Sequence, residues 1–144
     1  MRLLRRWFNY PPTSDSPFIT DKYGEKFWID WDEDESFVDM RVLYRGKFVG
    51  LVYLDFEKPE EALLIDINIF RFRRGNYRLR NRGLGKAMLE EAIAKSKEHK
   101  VKLIWGWIAP HDNTTVEYLE EWYRRQGFEI IKKDGRNLIK MRLV

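Results

Sequence analysis

The stretch Arg80-Asn81-Arg82-Gly83-Leu84-Gly85-Lys86 has the residue types and spacing of a phosphate-binding turn. Its glycines let the backbone turn tightly and approach a ligand that a side chain would otherwise hold off. A helical pattern starts here, so the N–H groups of the first turn converge on one point, and the helix dipole favours an anion there. Arg71, Arg73, Arg74, Arg78, Arg80, Arg82 and Lys86 are the cations of residues 71–86, and the segment holds no acid. Such charge suits a pyrophosphate carrying an extra ribose phosphate. The alternative is a solvated basic surface, since basic runs and isolated Gly-x-Gly sequences are common. Two nucleotide patterns do not fit. Gly-x-x-x-x-Gly-Lys-Ser/Thr is absent, and Met88 stands where a dinucleotide fingerprint starting at Gly83 would have its last glycine.

Other chemistries are excluded by residue type. With no cysteine in 144 residues, there is no disulfide, thiolate nucleophile or Cys-based zinc site. His99 and His111 lack metal-ligand spacing, so no metal site is expected. No nucleophile elbow is present for serine chemistry. The net charge of +4 favours a polyanionic partner: nucleic acid, a membrane surface or a phosphorylated cofactor. No apolar run approaches a membrane span, and the start Met1–Tyr10 is too interrupted for a signal peptide, so the expectation is a cytoplasmic protein with no membrane partner.

The elements that must position the turn follow from periodicity. Residues 9–25 read as irregular, being rich in Pro, Ser, Thr, Asp and Gly. Lys26–Asp32 alternates as a strand, with Phe27, Ile29 and Trp31 on one face. An acidic connection, Asp32–Ser36, leads to a second strand carrying Val38, Met40, Val42 and Tyr44. Arg45-Gly46-Lys47 turns the chain into a third, Phe48–Phe56, as an antiparallel hairpin. Ala62–Phe70 is the fourth, with Ile65, Ile67 and Ile69 on one side and Asp66 and Asn68 on the other. A helix follows with Leu84, Met88, Leu89, Ala92, Ile93 and Ser96 at helical spacing. Val101–Ile108 is a buried strand. Asp112 or Asn113 caps a second helix, Thr114–Gln126, which turns Val116, Leu119, Trp122 and Tyr123 inward and ends at Gly127. Asp134-Gly135 joins two last strands, Phe128–Lys133 and Asn137–Val144. With no repeat or linker, this order predicts one α/β domain over residues 1–144 with a mixed sheet.

These motifs together resemble the GCN5-related N-acetyltransferase (GNAT) family. Its Arg/Gln-x-x-Gly-x-Gly/Ala hallmark is met by Arg80-Asn-Arg-Gly83-Leu-Gly85 at a strand-to-helix junction. Its helix ending in Tyr, three residues and Gly-Phe is met by Tyr123-Arg-Arg-Gln-Gly127-Phe128. Gly46-Lys-Phe-Val-Gly50 and the closing Met141-Arg-Leu143 are weaker echoes. The resemblance covers roughly residues 37–143 and leaves 1–36 poorly matched. It implies a single domain of the α/β (α+β) class, with a mixed, mostly antiparallel sheet flanked by helices. It also implies that acetyl-CoA, as co-substrate, lies in a cleft where the fourth and fifth strands splay, here Ala62–Phe70 and Val101–Ile108. The amine acceptor, of unknown identity, attacks the thioester directly, and a strand N–H polarises the carbonyl.

The same resemblance implies the site residues. Arg80, Asn81, Arg82, Gly83, Leu84, Gly85 and Lys86 hold the pyrophosphate, with Arg78, Ile69 and Asn113 as further cofactor contacts. Tyr123 becomes the general acid that protonates the departing thiolate. A phenol with its ordinary pKa near 10 suits that task, and the alternative is a core tyrosine. Tyr118 and Trp122 are expected to pack. Asp66 is the best-placed general base, against the alternatives of an ordinary strand acid or a water chain.

Three departures stand out. The segment between the fourth strand and Arg80 is long. Val116, not Asn, lies seven residues before Tyr123, and Asn113 lies ten before it. The family's two early helices have no room between Trp31 and Phe37, so either Met1–Phe8 is the first strand or those helices are reduced. They normally wall the acceptor pocket. Asp30, Asp32, Glu33, Asp34 and Glu35 could attract a cationic amine or form a solvated turn. The competing readings are a nucleic-acid-binding module, with Phe72 and Tyr77 stacking bases among the arginines, and an inactive CoA-binding domain of the same fold. Exposed sheet edges leave room for a homodimer.

Overall fold

The computed structural model describes residues 16–70, 82–109 and 115–143. Strands β1 (Phe18–Thr20), β2 (Lys26–Asp34), β3 (Phe37–Tyr44), β4 (Lys47–Asp55) and β5 (Glu61–Ile69) precede helix α1 (Leu84–Glu98). Then come β6 (Leu103–Trp107), helix α2 (Val116–Arg125), β7 (Glu129–Lys133) and β8 (Arg136–Arg142). The described strands form one mixed sheet in the order β1-β2-β3-β4-β5-β6-β8-β7. The β5–β6 pair is parallel and its other neighbours are antiparallel. The expected mixed, mostly antiparallel sheet flanked by helices is therefore present.

Local chemistry explains most boundaries. Two hairpin turns place both central residues at positive φ: Arg45 (50°) with Gly46 (79°), and Asp134 (53°) with Gly135 (73°). That is the twist a two-residue hairpin needs. The core joins the alternate residues of β2–β5, including Phe27, Met40, Val42, Val52 and Leu54, to Leu84, Met88, Leu89 and Ala92 of α1. Gly50 lets α1 approach, since a Cβ there would stand 3.1 Å from Met88 Cε.

Several expectations need correction. The segment read as irregular contains β1, held because Ile19 is buried and Phe18–Thr20 pairs with Trp28–Lys26. It is the first strand among the described residues; Met1–Phe8 lies outside them. The acidic run is mostly strand, because β2 continues to Asp34 opposite Phe37, and the turn is only Glu35-Ser36. The cap of α2 is Thr115, whose hydroxyl accepts the Tyr118 N–H at 3.1 Å, and not Asp112 or Asn113, which lie outside the described residues. In β5, Tyr53 pairs with Asp66 but Leu54 pairs with Leu64, which leaves Ile65 as the extra residue of a bulge. Ile65 is 46% exposed, whereas Ile67 and Ile69 are partly buried against the core.

The parallel pair is short. Glu61, Ala62 and Leu63 meet Leu103, Ile104 and Trp105, and there the ladder stops. Beyond it, β5 stays with β4 as far as Ile69, and β6 stays with β8 as far as Trp107. The two strands part and open a cleft. Gly106 stands at the fork, where a Cβ would lie 2.7 Å from the Leu64 carbonyl oxygen. Gly106→Ala is expected to cost about 1–3 kcal/mol, because backbone must move to admit the methyl group. Urea unfolding checks it, and an unchanged midpoint would mean that the fork tolerates a side chain.

Candidate functional site

The cleft has a volume of about 870 Å³, within the range of sites that hold a small molecule or cofactor. One wall is β5 from Leu64 to Ile69. The other is Trp107 and Ala109 with the inner face of α2, and the start of α1 closes one end. Among the described lining residues the cations are Lys22, Lys86 and Arg125, and the acid is Asp66. The lining suits a polyanion better than a cation.

The start of α1 fits a phosphate. Gly83 occupies the cap position at φ 78°, no side chain caps the helix, and the first turn holds no acid. The first helical hydrogen bond runs from Ala87 N to Gly83 O at 3.1 Å. The N–H groups of Leu84, Gly85 and Lys86 therefore have no partner within the helix. Gly85 lies under the edge of Trp122 and near Ile69: a Cβ there would be 3.4 Å from Trp122 Cζ2 and 3.9 Å from Ile69 Cδ1. The predicted Gly83, Leu84, Gly85, Lys86 and Ile69 thus come together around one opening. Arg78, Arg80, Asn81 and Asn113 lie outside the described residues.

Arg82 behaves differently from its neighbours. Its guanidinium donates to Asp21 Oδ2 at 2.7 Å and to Glu25 Oε2 at 2.9 Å. Those ion pairs hold its charge in place, the hydrogen bond to Asp21 first among the causes. Burial would raise the pKa of Asp21. The N–H groups of Glu25 and Tyr23 and the Arg82 guanidinium outweigh burial and hold the carboxyl below its ordinary value.

Tyr123 lines the cleft and is buried, its ring edge-on to Trp122 at 5.0 Å and to Phe128 at 5.5 Å. Among the described residues, no side chain holds its hydroxyl. Burial, and then the nearby negative charge of Asp66, raise its pKa well above the ordinary tyrosine value. The phenol is thus a weaker acid than the ordinary value suggested. Asp66 lies on the cleft wall, within electrostatic reach of that hydroxyl.

The acidic run is not part of this lining. Glu33 accepts from His99 at 2.9 Å and Asp32 is buried 3.6 Å from Arg41. Sequence reasoning missed Lys22, Trp107 and Thr115 as cleft residues, and expected Tyr118 and Trp122 only to pack, whereas both line the cleft. For Trp122 and Tyr118 a signal existed, since they share a helix with Tyr123. For Lys22 no local signal exists, because it reaches the cleft through a long-range contact with Arg82.

Comparison with known proteins bears on this geometry. A family model described as Acetyltransferase (GNAT) family matches residues 2–128, well ahead of residue 37, where the motifs begin. An uncharacterised N-acetyltransferase of Methanocaldococcus jannaschii is 30% identical over 121 residues, 74% of this chain and 48% of that protein. The chain thus spans about half the length of that curated relative. The GNAT domain of an S. lividans protein, PAT, superposes with a TM-score of 0.72 at 11% identity, covering 92% of this chain and 99% of that one. A GNAT family acetyltransferase from Elizabethkingia anophelis, solved with acetyl-CoA bound, does so at 0.58 and 20% identity, over 75% and 77%. Among the described residues, no group of His, Asp or Glu is placed to hold a metal ion, and no helix is long and apolar enough to cross a membrane.

Proposed function

The chain belongs to the acetyltransferase (GNAT) family, and from that membership we propose that it binds acetyl-CoA in the β5–β6 cleft and transfers the acetyl group to a primary amine. The observation that carries this reading is the convergence on one cleft of a fork at Gly106, three N–H groups at the start of α1 that have no partner within the helix, and the Tyr123 phenol. Acetyl-CoA supplies an activated thioester: one C–N bond forms and one C–S bond breaks.

The chain's own residues supply the rest. Leu84, Gly85 and Lys86 offer N–H groups to the pyrophosphate, and the Lys86 side chain adds charge at the same turn. Ile67 and Ile69 line the cleft with apolar surface for the pantetheine arm. Tyr123 keeps its proton at any working pH and yields it to the departing sulfur. Asp66 takes the proton that the amine loses, directly or through water. The acceptor is an amine of a small molecule or of a protein or peptide.

Calorimetry tests the cofactor half. Micromolar binding of acetyl-CoA and of CoA, with ATP far weaker, is the expected result. Equal binding of ATP, or no binding of either thioester or thiol, would overturn it. An amine panel then tests turnover, and CoA binding without acetylation of any amine would favour an inactive binding domain.

A further inference from the structure

Resting on the cofactor reading above, we infer that Lys22 is an additional ligand for a phosphate of the cofactor, and that Arg82 positions it. The turn between β1 and β2 is a closed unit. The Asp21 N–H donates to the Glu25 carbonyl at 3.1 Å, and that of Gly24 donates to the Asp21 carbonyl at 3.0 Å. Asp21 Oδ1 accepts from the N–H groups of Tyr23 and Glu25, both at 2.9 Å. The remaining carboxylate oxygens face outward from the turn and hold Arg82. Asp21 Oδ2 takes its Nε and Glu25 Oε2 its Nη2, while the other Glu25 oxygen accepts the Tyr44 hydroxyl.

The main chains are joined as well. The Lys22 N–H donates to the Arg82 carbonyl at 2.7 Å. A Cβ on Gly83 would lie 3.6 Å from Lys22 Cβ. The turn is therefore clamped, by side chain and backbone together, to the residue that precedes the capping glycine of α1. Asp21 and Glu25 already balance the charge of Arg82. Of the three residues between them in the turn, Lys22 lines the cleft beside Gly83, Gly85 and Lys86. Its ammonium lies 5.2 Å from the centre of the Tyr23 ring, and the Arg82 guanidinium carbon lies 5.3 Å from it. A flexible ammonium at the rim of an anion-binding turn can reach a phosphate as a point charge. Arg82 has two of its five N–H donors committed to carboxylates, which hold the guanidinium at the turn and balance its charge there.

Calorimetric affinities for CoA and for 3′-dephospho-CoA test the assignment. Lys22→Glu should weaken CoA at least about 10-fold, as loss of a charge-assisted contact requires. Lys132→Glu, a charge reversal on exposed β7, should change it less than about 2-fold by the weakness of screened distant charges. A loss that vanishes with dephospho-CoA assigns Lys22 to the ribose phosphate, and one that persists assigns it to the pyrophosphate; both support the inference. If the wild type binds CoA and Lys22→Glu binds it equally, the inference falls and the cofactor reading stands. If the wild type binds neither form, both fall. For Arg82, the substitution to Gln should weaken CoA several-fold in the wild type and add little in a Lys22→Ala background. Additive losses would show that Arg82 acts on the ligand independently of Lys22.

Discussion

Gly85→Asp is expected to weaken CoA binding at least about 100-fold while leaving the fold as stable as before. Two effects add. The carboxylate would stand in the first turn of α1, where the N–H groups of Leu84, Gly85 and Lys86 converge. It would take the hydrogen bonds meant for a phosphate and repel its charge, and each charge-assisted bond is worth about 1.5–3 kcal/mol. The same carboxylate suits the helix, because a negative group near the N-terminus stabilises it by about 0.3–1 kcal/mol. The first added carbon is tolerable, since it would meet Trp122 at 3.4 Å, an ordinary contact. Loss of affinity would thus be separated from loss of structure: calorimetry should show no CoA binding, and thermal unfolding should show no drop. Gly85→Ala should lower affinity far less. Unchanged CoA affinity in Gly85→Asp would remove the start of α1 from the cofactor site.

Tyr123→Phe is expected to lower kcat about 100-fold or more, the scale of a lost general acid, with cofactor affinity changed less than about 3-fold because the hydroxyl acts on the departing sulfur rather than on bound cofactor. The ring would keep its edge contacts with Trp122 and Phe128. No described side chain holds the hydroxyl, so stability should not fall. The pH profile carries a second check. Burial and then Asp66 raise the Tyr123 pKa, so ionisation of Tyr123 should not limit the rate below pH values well above the ordinary tyrosine range. Asp66→Asn removes the negative charge but not the burial. It should move that alkaline limit to lower pH while leaving it above the ordinary value. A Tyr123→Phe enzyme with wild-type turnover would make Tyr123 a packing residue. An alkaline limit that Asp66→Asn does not move would mean that the two groups do not act on each other.

The two largest effects fall on residues whose places the sequence made readable. Gly83 and Gly85 stand just where a helical stripe begins, and the requirement for small residues at an anion-binding turn is met within a few positions. Tyr123 belongs to a short helix whose apolar spacing turns it inward, and Gly127, at φ 99°, ends that helix as expected. The two hairpin turns were readable for the same reason, since positive φ is demanded of adjacent residues.

What the sequence by itself determined is therefore local: which stretches alternate as strands, where the helical stripes lie and where the tight turns fall. The family motifs are built from these short-range features, which is why their order along the chain pointed to the fold. Only the tertiary structure decided the bulge at Ile65, the fork at Gly106 and the clamp of Asp21 and Glu25 on Arg82. A bulge exists only against the register of a partner strand. A fork exists only where two neighbours each hold a different strand more firmly than they hold one another. Arg82 looked like one phosphate-binding cation among seven because its carboxylate partners lie far away in a segment that read as irregular. The ion pairs that tie Arg82 to the β1–β2 turn, and the backbone bond that sets Lys22 beside it, form only when the chain closes on itself.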